Sequence, residues 1–471
     1  MEGGNTASWA ISYLSNPGAL IRALPIALGL AALAWLTYVQ FLSPVAKIPG
    51  PFWAKISRLW LAYHGWVGDF HTTLLRLHHQ YGDLVRVGPN ELSVCSGEGV
   101  RKIYGIGAKF SKSEFYTPVQ GKRKFDLFGE KNEEIHRQQR RIVSNIYTVA
   151  AVKELESHID STVAHFVEQL KLRYNHTIDF GVWLQLFAFD VIGEVTFSQR
   201  FGLLDIGEET DALVAIKESM KSTSWLCQIP LVYHIHETLK PIIGDRIAAN
   251  ARNSTLRDFT VNHVRAREGR ETKHRDFVSR LFEIHKSKEN DFDVNDVISM
   301  ASSNVVAGSD TTAISMRAMF HFLLTHPECK AKLLEEIDAY YDSDEAQKHK
   351  IIPFDVANNL PYLQAVKYES MRLHPVVGQT LPRVVPAGGL QCGNEYIPAG
   401  TVVGVSPYVV GQSTEIWGDD ATEFKPERWM GKNRGELQKF WMPFGGGSWT
   451  CIGKNLSWVE MSKVSTDFFL H

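Results

Sequence analysis

The chain has 471 residues with 44% hydrophobic, 22% charged and 11% aromatic content, fractions that exclude a disordered, collagen-like or low-complexity polymer. Fifty basic residues against 52 acidic ones give a formal charge of −2, so the global basic field that nucleic acid selects is missing and no nucleic-acid partner is expected. Five cysteines, Cys95, Cys227, Cys329, Cys392 and Cys451, are odd in number, scattered and free of any CxxC pair, which excludes a disulfide framework and a cysteine zinc site.

In chain order, a short tail over residues 1–22 leads into an apolar run from Ala23 to Ala46 that carries no charge. About 20 helical residues cross a bilayer core, so a single transmembrane anchor is predicted over residues 23–43. A secretory signal has a shorter apolar core and a small-residue cleavage site, whereas here Trp35, Tyr38 and Phe41 continue as an interfacial belt. Arg22 precedes the run and Lys47, Lys55 and Arg58 follow it, which puts the body of the protein on the cytosolic side. Residues 44–51, from Pro44 through Lys47-Ile-Pro-Gly-Pro51, predict a stiff hinge that ends the helix and sets the body off the membrane.

No repeat or long polar linker divides the rest, so residues 52–471 are read as one domain. Trp66–Tyr81 has helical spacing and stops at Gly82; Leu84–Val87 and Glu91–Val94 flank Gly88-Pro-Asn90 as a hairpin. Helical periodicity then dominates, over Glu133–Thr148, Val152–Tyr174, Gly181–Ser198 and Val294–Thr325. Short strands return near Leu381–Val385 and Thr401–Ser406, with Gly393-Asn394 as a tight turn between them. The fold class is mainly α with small β-sheets (α+β).

The strongest chemical signal is Phe444-Gly-Gly-Gly-Ser-Trp-Thr-Cys451-Ile-Gly453 followed by a helical pattern. Successive glycines permit positive φ and close approach to a flat ligand. A cysteine just ahead of a helix N-terminus meets N–H donors that favour thiolate, the form that ligates metal. The glycine spacing is wrong for a phosphate loop, while a buried, inert cysteine accounts for the segment about as well when it is taken alone.

Three further segments change that balance. Glu369-Ser-Met-Arg372 puts an acid and a guanidinium on one helix face, by itself an exposed pair worth a few tenths of a kcal/mol. Phe424-Lys-Pro-Glu-Arg-Trp429 supplies a second arginine, Arg428. Ala307-Gly308-Ser309-Asp310-Thr311-Thr312 interrupts an apolar helix with small residues that leave room for a planar cofactor, and with an acid beside an alcohol, a proton-relay pair. Alone, it is better explained as a Ser/Thr-rich turn bonding its own carbonyls.

Together and in this order, the four segments resemble the cytochrome P450 family of haem-thiolate monooxygenases, over essentially everything after the hinge. The anchored layout is similar to the microsomal members. The wording HRQQRRIVSNIY and IPAGTVVGVSPYVV resembles fungal secondary-metabolism enzymes of the pisatin demethylase-like group. The resemblance implies the P450 fold and haem b (iron protoporphyrin IX) with Cys451 as its axial thiolate ligand. Phe444 then shields the thiolate, and Gly447 and Gly453 are turn glycines. Glu369, Arg372 and Arg428 form a buried structural cluster behind the haem. Asp310 and Thr311 deliver protons to dioxygen, with Ala307 and Gly308 beside the cofactor. Arg140 and Arg383 bind propionates; His136 stands where many members have tryptophan.

The implied activity is insertion of one oxygen atom of O2 into a small lipophilic substrate, by hydroxylation, epoxidation or oxidative dealkylation. NADPH electrons arrive through NADPH-cytochrome P450 reductase, with cytochrome b5 as a second donor. The location implied is the endoplasmic reticulum membrane, single-pass, with a cytosolic catalytic domain. Arg137, Arg141 and Lys122-Arg-Lys124 offer a basic face to an acidic reductase, and an ordinary solvated surface explains them equally. Substrate contacts are expected in Ser111–Phe125, around Trp225, at Ala307 and in Val376–Thr380.

Two departures bear on activity. Trp449 stands where the family usually has arginine or histidine bonding a propionate, and indole offers one neutral donor. The chain also ends at His471, 20 residues past Cys451, where family members continue, so a truncated domain is expected. Weakened haem retention follows from both. The alternatives are an inactive or haem-deficient truncated member, and a reductase-independent haem-thiolate isomerase or dehydratase.

Overall fold

A computed structural model describes residues 17–243, 258–267, 274–288, 290–342 and 351–470, so the expected tail lies outside the described residues as far as residue 16. Helix α1 (Pro17–Thr37) carries the apolar run, and a π-helical turn over Tyr38–Leu42 completes it before Ser43 becomes extended. The stretch Ala23–Leu42 is long and apolar enough to cross a membrane, and most of its side chains, Leu24, Leu28 and Phe41 among them, are exposed. Its C-terminal end is tied to the body: the Trp35 indole N–H donates to the Ile56 carbonyl at 3.0 Å, and buried Arg86 donates to the Val39 carbonyl at 2.7 Å.

The proline-rich segment 44–51, expected to be a stiff hinge, lies packed against the body. Val45 and Ile48 are buried, and the Arg86 N–H donates to the Pro49 carbonyl at 2.7 Å. A Cβ on Gly50 would meet the Arg86 carbonyl oxygen at 2.2 Å, so only glycine lets the hinge lie on the first hairpin.

Among the described residues seven short strands occur: β1 (Leu84–Gly88), β2 (Glu91–Val94), β3 (Ser111–Lys112), β4 (Arg383–Val384), β5 (Leu390–Cys392), β6 (Glu395–Ile397) and β7 (Val402–Gly404). The main sheet has the order β1-β2-β7-β4-β3, with β2 and β7 parallel and the other pairs antiparallel. The β1–β2 hairpin forms as expected. Gly393-Asn394 turns a separate hairpin, β5–β6, and does not join β4 to β7, which pair directly.

The helical body contains α2 (Leu59–Val67), α3 (Phe70–Tyr81), α4 (Glu133–Val143), α5 (Glu156–Lys171), α6 (Phe180–Phe197), α7 (Asp211–Leu226), α8 (Pro230–Ile243), α9 (Phe277–Ser287), α10 (Val294–Thr325), α11 (Pro361–Leu373) and α12 (Lys454–Leu470). Three periodic stretches break where local chemistry interrupts them. Left-handed Gly68 (φ 86°) ends α2, so Trp66–Tyr81 is not one helix. The stretch Glu133–Thr148 tightens to a 3-10 turn at Ser144–Tyr147, and a short helix, Val149–Lys153, precedes α5.

α10 runs through the molecule with the predicted bounds. Its start is fixed by a capping box in which the Asp293 side chain takes the Asp296 N–H at 3.0 Å and Asp296 answers to the Asp293 N–H at 2.9 Å. α6 packs along it. From Trp183 to Phe197 nearly every side chain of α6 is buried, because α5, α9 and α10 all lie against it. α6 is apolar enough to span a bilayer too, but its burial makes it a core helix.

Candidate active site

The Cys451 N–H donates to the Phe444 carbonyl at 2.8 Å and closes the glycine loop. Gly445 (φ 72°) and Gly447 (φ 59°) take the left-handed conformation that other residues resist. A Cβ on Gly447 would stand 2.8 Å from the Tyr104 carbonyl oxygen. The close approach that the glycines allow is thus made to the backbone at Tyr104. At Gly453 an added Cβ would lie 3.9 Å from Cys451 Sγ, an ordinary contact. Phe444 is half-buried between Trp441 and Trp458, at ring distances of 5.8 and 6.2 Å.

Cys451 Sγ accepts the Gly453 and Lys454 N–H groups. Its side chain is exposed, yet desolvation by the surrounding protein pushes the thiol up. A group that is touchable and also strongly desolvated lies on the wall of an enclosed space. The expected thiolate preference therefore does not arise from the helix end: the two N–H donors, Arg140 and Lys454 pull the thiol down, and burial outweighs them. A thiolate here needs a further positive charge, which a bound metal ion supplies.

α10 meets this segment where Thr312 and Ser457 hydroxyls hydrogen-bond at 2.7 Å. Ala307 and Thr311, one turn apart, are exposed although Val306, Ser309, Thr312 and Ala313 around them are buried. Asp310 and Thr311 are neighbours in sequence, but their side chains have different hydrogen-bond partners. The Thr311 hydroxyl donates to the Ala307 carbonyl at 2.6 Å, while Asp310 Oδ1 accepts from Gln185 of α6 at 3.0 Å. Burial raises the Asp310 carboxyl; Arg317 and Lys217 draw it back. The room left by Gly308 is taken by α6, since a Cβ there would lie 2.7 Å from Ile192 Cδ1. Its small size serves helix packing.

The propionate candidates do converge, around one residue that sequence reasoning missed. The β3–β4 register pairs Lys112 with Arg383. Both are buried, and Arg140 is partly buried. Among the described residues none of the three has a carboxylate oxygen within ion-pair distance. Lys112 Nζ donates to the Leu127 and Phe128 carbonyls at 3.3 and 2.6 Å, and sits 4.2 Å from the centre of the Trp449 ring. Arg383 donates to the Tyr116 hydroxyl at 3.0 Å, and its Nε is buried without a partner. Trp449 also stacks on His136, with ring centroids 4.0 Å apart. Burial, then Lys112, Arg140 and Arg383, lowers His136 to about 3, so the ring is neutral at ordinary pH. Burial, then Arg383, drives Lys112 well below the usual lysine range, against the pull of Asp126 and Glu130. Three basic groups held out of water, with a guanidinium N–H left unpaired, form a cradle fitted to an anionic group. The residues present thus fit a haem: a desolvated thiol on one wall, and unpaired cations for its propionates.

Glu369, Arg372 and Arg428 are not an exposed surface pair. Glu369 and Arg372 are fully buried and joined by two bonds, Nε to Oε2 at 2.8 Å and Nη2 to Oε1 at 2.7 Å. Arg428 Nε reaches Glu369 Oε1 at 3.3 Å. Trp429 Nε1 and the Lys425 N–H, neither expected, complete the carboxylate's partners at 2.8 and 3.0 Å. Arg372 also donates to the Gly411, Ala421 and Glu423 carbonyls, so the cluster fastens the chain before the cysteine loop to α11. Every charge is met, the condition for tolerating buried ions. The supposed basic face is divided: Arg123 turns to buried Asp126, Lys122 pairs with Glu237, and Arg137 pairs with Glu134.

A desolvated cysteine after a glycine loop, a long helix with an acid and an alcohol, and a buried Glu–Arg–Arg cluster together fit a haem-thiolate type of protein. The family model for Cytochrome P450 matches residues 47–471, and the chain belongs to that family. It is 37% identical to the cytochrome P450 monooxygenase hepC of Aspergillus oryzae, over 94% of this chain and 90% of that protein. A cytochrome P450 monooxygenase of Aspergillus terreus is also 37% identical, over 89% of this chain and 88% of its own length. Pisatin demethylase of Fusarium vanettenii is 32% identical, over 95% and 88%. The protein is an oxidoreductase of the monooxygenase class.

Proposed function

We propose that this protein is a membrane-anchored haem-thiolate monooxygenase that inserts one oxygen atom of O2 into a small lipophilic substrate in fungal secondary metabolism. The observation that carries it is Cys451, desolvated, reachable and held by two backbone N–H groups. Haem b, when bound, supplies reductive activation of dioxygen, with NADPH electrons from a cytochrome P450 reductase or cytochrome b5. Cys451 ligates its iron as thiolate. Arg140, Arg383 and Lys112 hold its propionates, and Trp449 with His136 forms the wall beside them. Lys112 takes over the charge that arginine or histidine provides at position 449 elsewhere in the family, which argues against the haem-deficient alternative.

Thr311, exposed on α10, positions a proton donor beside the reacting oxygen. Asp310, linked through Gln185 to Arg317 at 3.0 Å, exchanges protons from the side of α6. An intact acid and alcohol favour oxygen activation over the reductase-independent reading. Contact with a membrane, here assigned to the endoplasmic reticulum, is supported by α1 and by further exposed apolar side chains: Trp53, Leu59 and Trp66 near the hinge, and Leu231, Ile235 and Ile242 on α8.

The test is the carbon-monoxide difference spectrum of the reduced protein in membranes. A strongly red-shifted Soret band is expected, and it should be lost in Cys451→Ser at equal protein level. Protein without the band overturns the reading. Product formation without NADPH would instead favour an isomerase or dehydratase.

A further inference from the structure

Away from the site described above, three potential ligands from three elements meet. His158 lies on α5, Glu194 on α6, and His274 precedes α9. Glu194 Oε1 is 3.8 Å from His158 Nδ1 and 3.8 Å from His274 Nε2, and the ligand atoms of all three lie within 4.8 Å of one another. We propose that these side chains form a binding site for a divalent transition-metal ion, zinc by its donor set.

Two imidazoles and one carboxylate are the nitrogen–oxygen donors that zinc accepts, whereas magnesium and calcium require oxygen ligands throughout. The arrangement is otherwise poorly satisfied. The 3.8 Å separations exceed hydrogen-bond length, and the His274 Nδ1 atom is buried with no partner. All three residues are partly buried, which sheds competing water and leaves an entrance. At zinc bond lengths of about 2.0–2.1 Å, tetrahedral ligand atoms stand roughly 3.3 Å apart, so the two 3.8 Å separations from Glu194 close by about half an ångström on binding.

The rings are stacked, with centroids 3.4 Å apart and planes 22° from parallel, so their lone pairs run side by side. One ring must turn to aim at the ion. His158 is the freer: its side chain is 26% exposed against 11% for His274, whose Nε2 also lies 3.5 Å from the Glu194 carbonyl. The bound ion links α5, α6 and the segment leading into α9. An ion that binds only the folded state raises stability by mass action.

The experiment is equilibrium dialysis of the untagged, haem-loaded protein against micromolar zinc, with metal analysis and thermal unfolding. The wild type should hold one equivalent more zinc than Glu194→Gln and unfold at a higher temperature with zinc than without. His158→Phe keeps an aromatic ring to stack on His274 but cannot ligate, so a folded variant remains if truncation fails; its affinity should fall at least about tenfold. Magnesium at the same concentration should not bind. Equal zinc in the wild type and both variants, or no bound equivalent, overturns the proposal.

Discussion

Lys112→Met isolates the cradle, because methionine keeps most of the side chain's length and deletes the charge. The ammonium has three protons, and two are used on the Leu127 and Phe128 carbonyls. One remains for an anionic partner beside Trp449. A hydrogen bond to a charged group contributes about 1.5–3 kcal/mol. At about 1.4 kcal/mol per tenfold, its loss should speed haem release roughly 10- to 150-fold, read as transfer to apomyoglobin. Without haem the sign reverses. The folded-state Lys112 value is lowered, so between that value and the ordinary lysine range the unfolded chain binds more protons and stability rises with pH. Haem-free Lys112→Met should therefore be more stable than the wild type at neutral pH, and its stability should respond less to pH across that window. Haem release within about twofold of the wild type, beside a stabilised haem-free protein, would refute the reasoning and leave Lys112 as a buried charge without an anionic partner.

Trp449→Arg alone should not raise haem occupancy at equal protein level, since it sets a fourth cation by Lys112 and Arg383 and removes the ring that stacks on His136. Combined with Lys112→Met it should recover occupancy lost in the single variant, measured as haem per protein. Glu369→Gln leaves Arg372 and Arg428 buried without their countercharge and should cost about 3–5 kcal/mol, seen as lost soluble yield or a lower urea midpoint. Gly308→Ala should destabilise by about 1–2 kcal/mol through the Ile192 contact, and Ile192→Val should relieve part of it in a double-mutant cycle. Asp420 is held at about 2 by hydrogen bonds from Lys425 and Arg428, a depressed value, so its contribution is present above its ordinary range and lost as pH falls toward 2. Asp420→Asn should remove that part of the acid-unfolding slope.

What could be read from the sequence was local. Helical periodicity gave α10 its bounds, Gly88-Pro-Asn90 gave the first hairpin, and the order of four short segments gave the family. Spacing also found Glu369 and Arg372, because partners three apart on a helix meet whatever surrounds them. It could not tell whether they meet in water or in the core, since burial depends on what α11 packs against. Adjacency did not show that the helix turns Asp310 and Thr311 to different hydrogen-bond partners, nor that the missing side chain of Gly308 makes way for Ile192. Lys112 could not be found by any local rule. It reaches Arg383 only through a two-residue strand pairing between distant segments, and a one-residue slip would turn it to the opposite face. The same holds for His158, Glu194 and His274, which no spacing connects. Local periodicity follows from the backbone's own geometry, whereas the partners of a buried charge are chosen by long-range packing, where distant segments share one desolvated space.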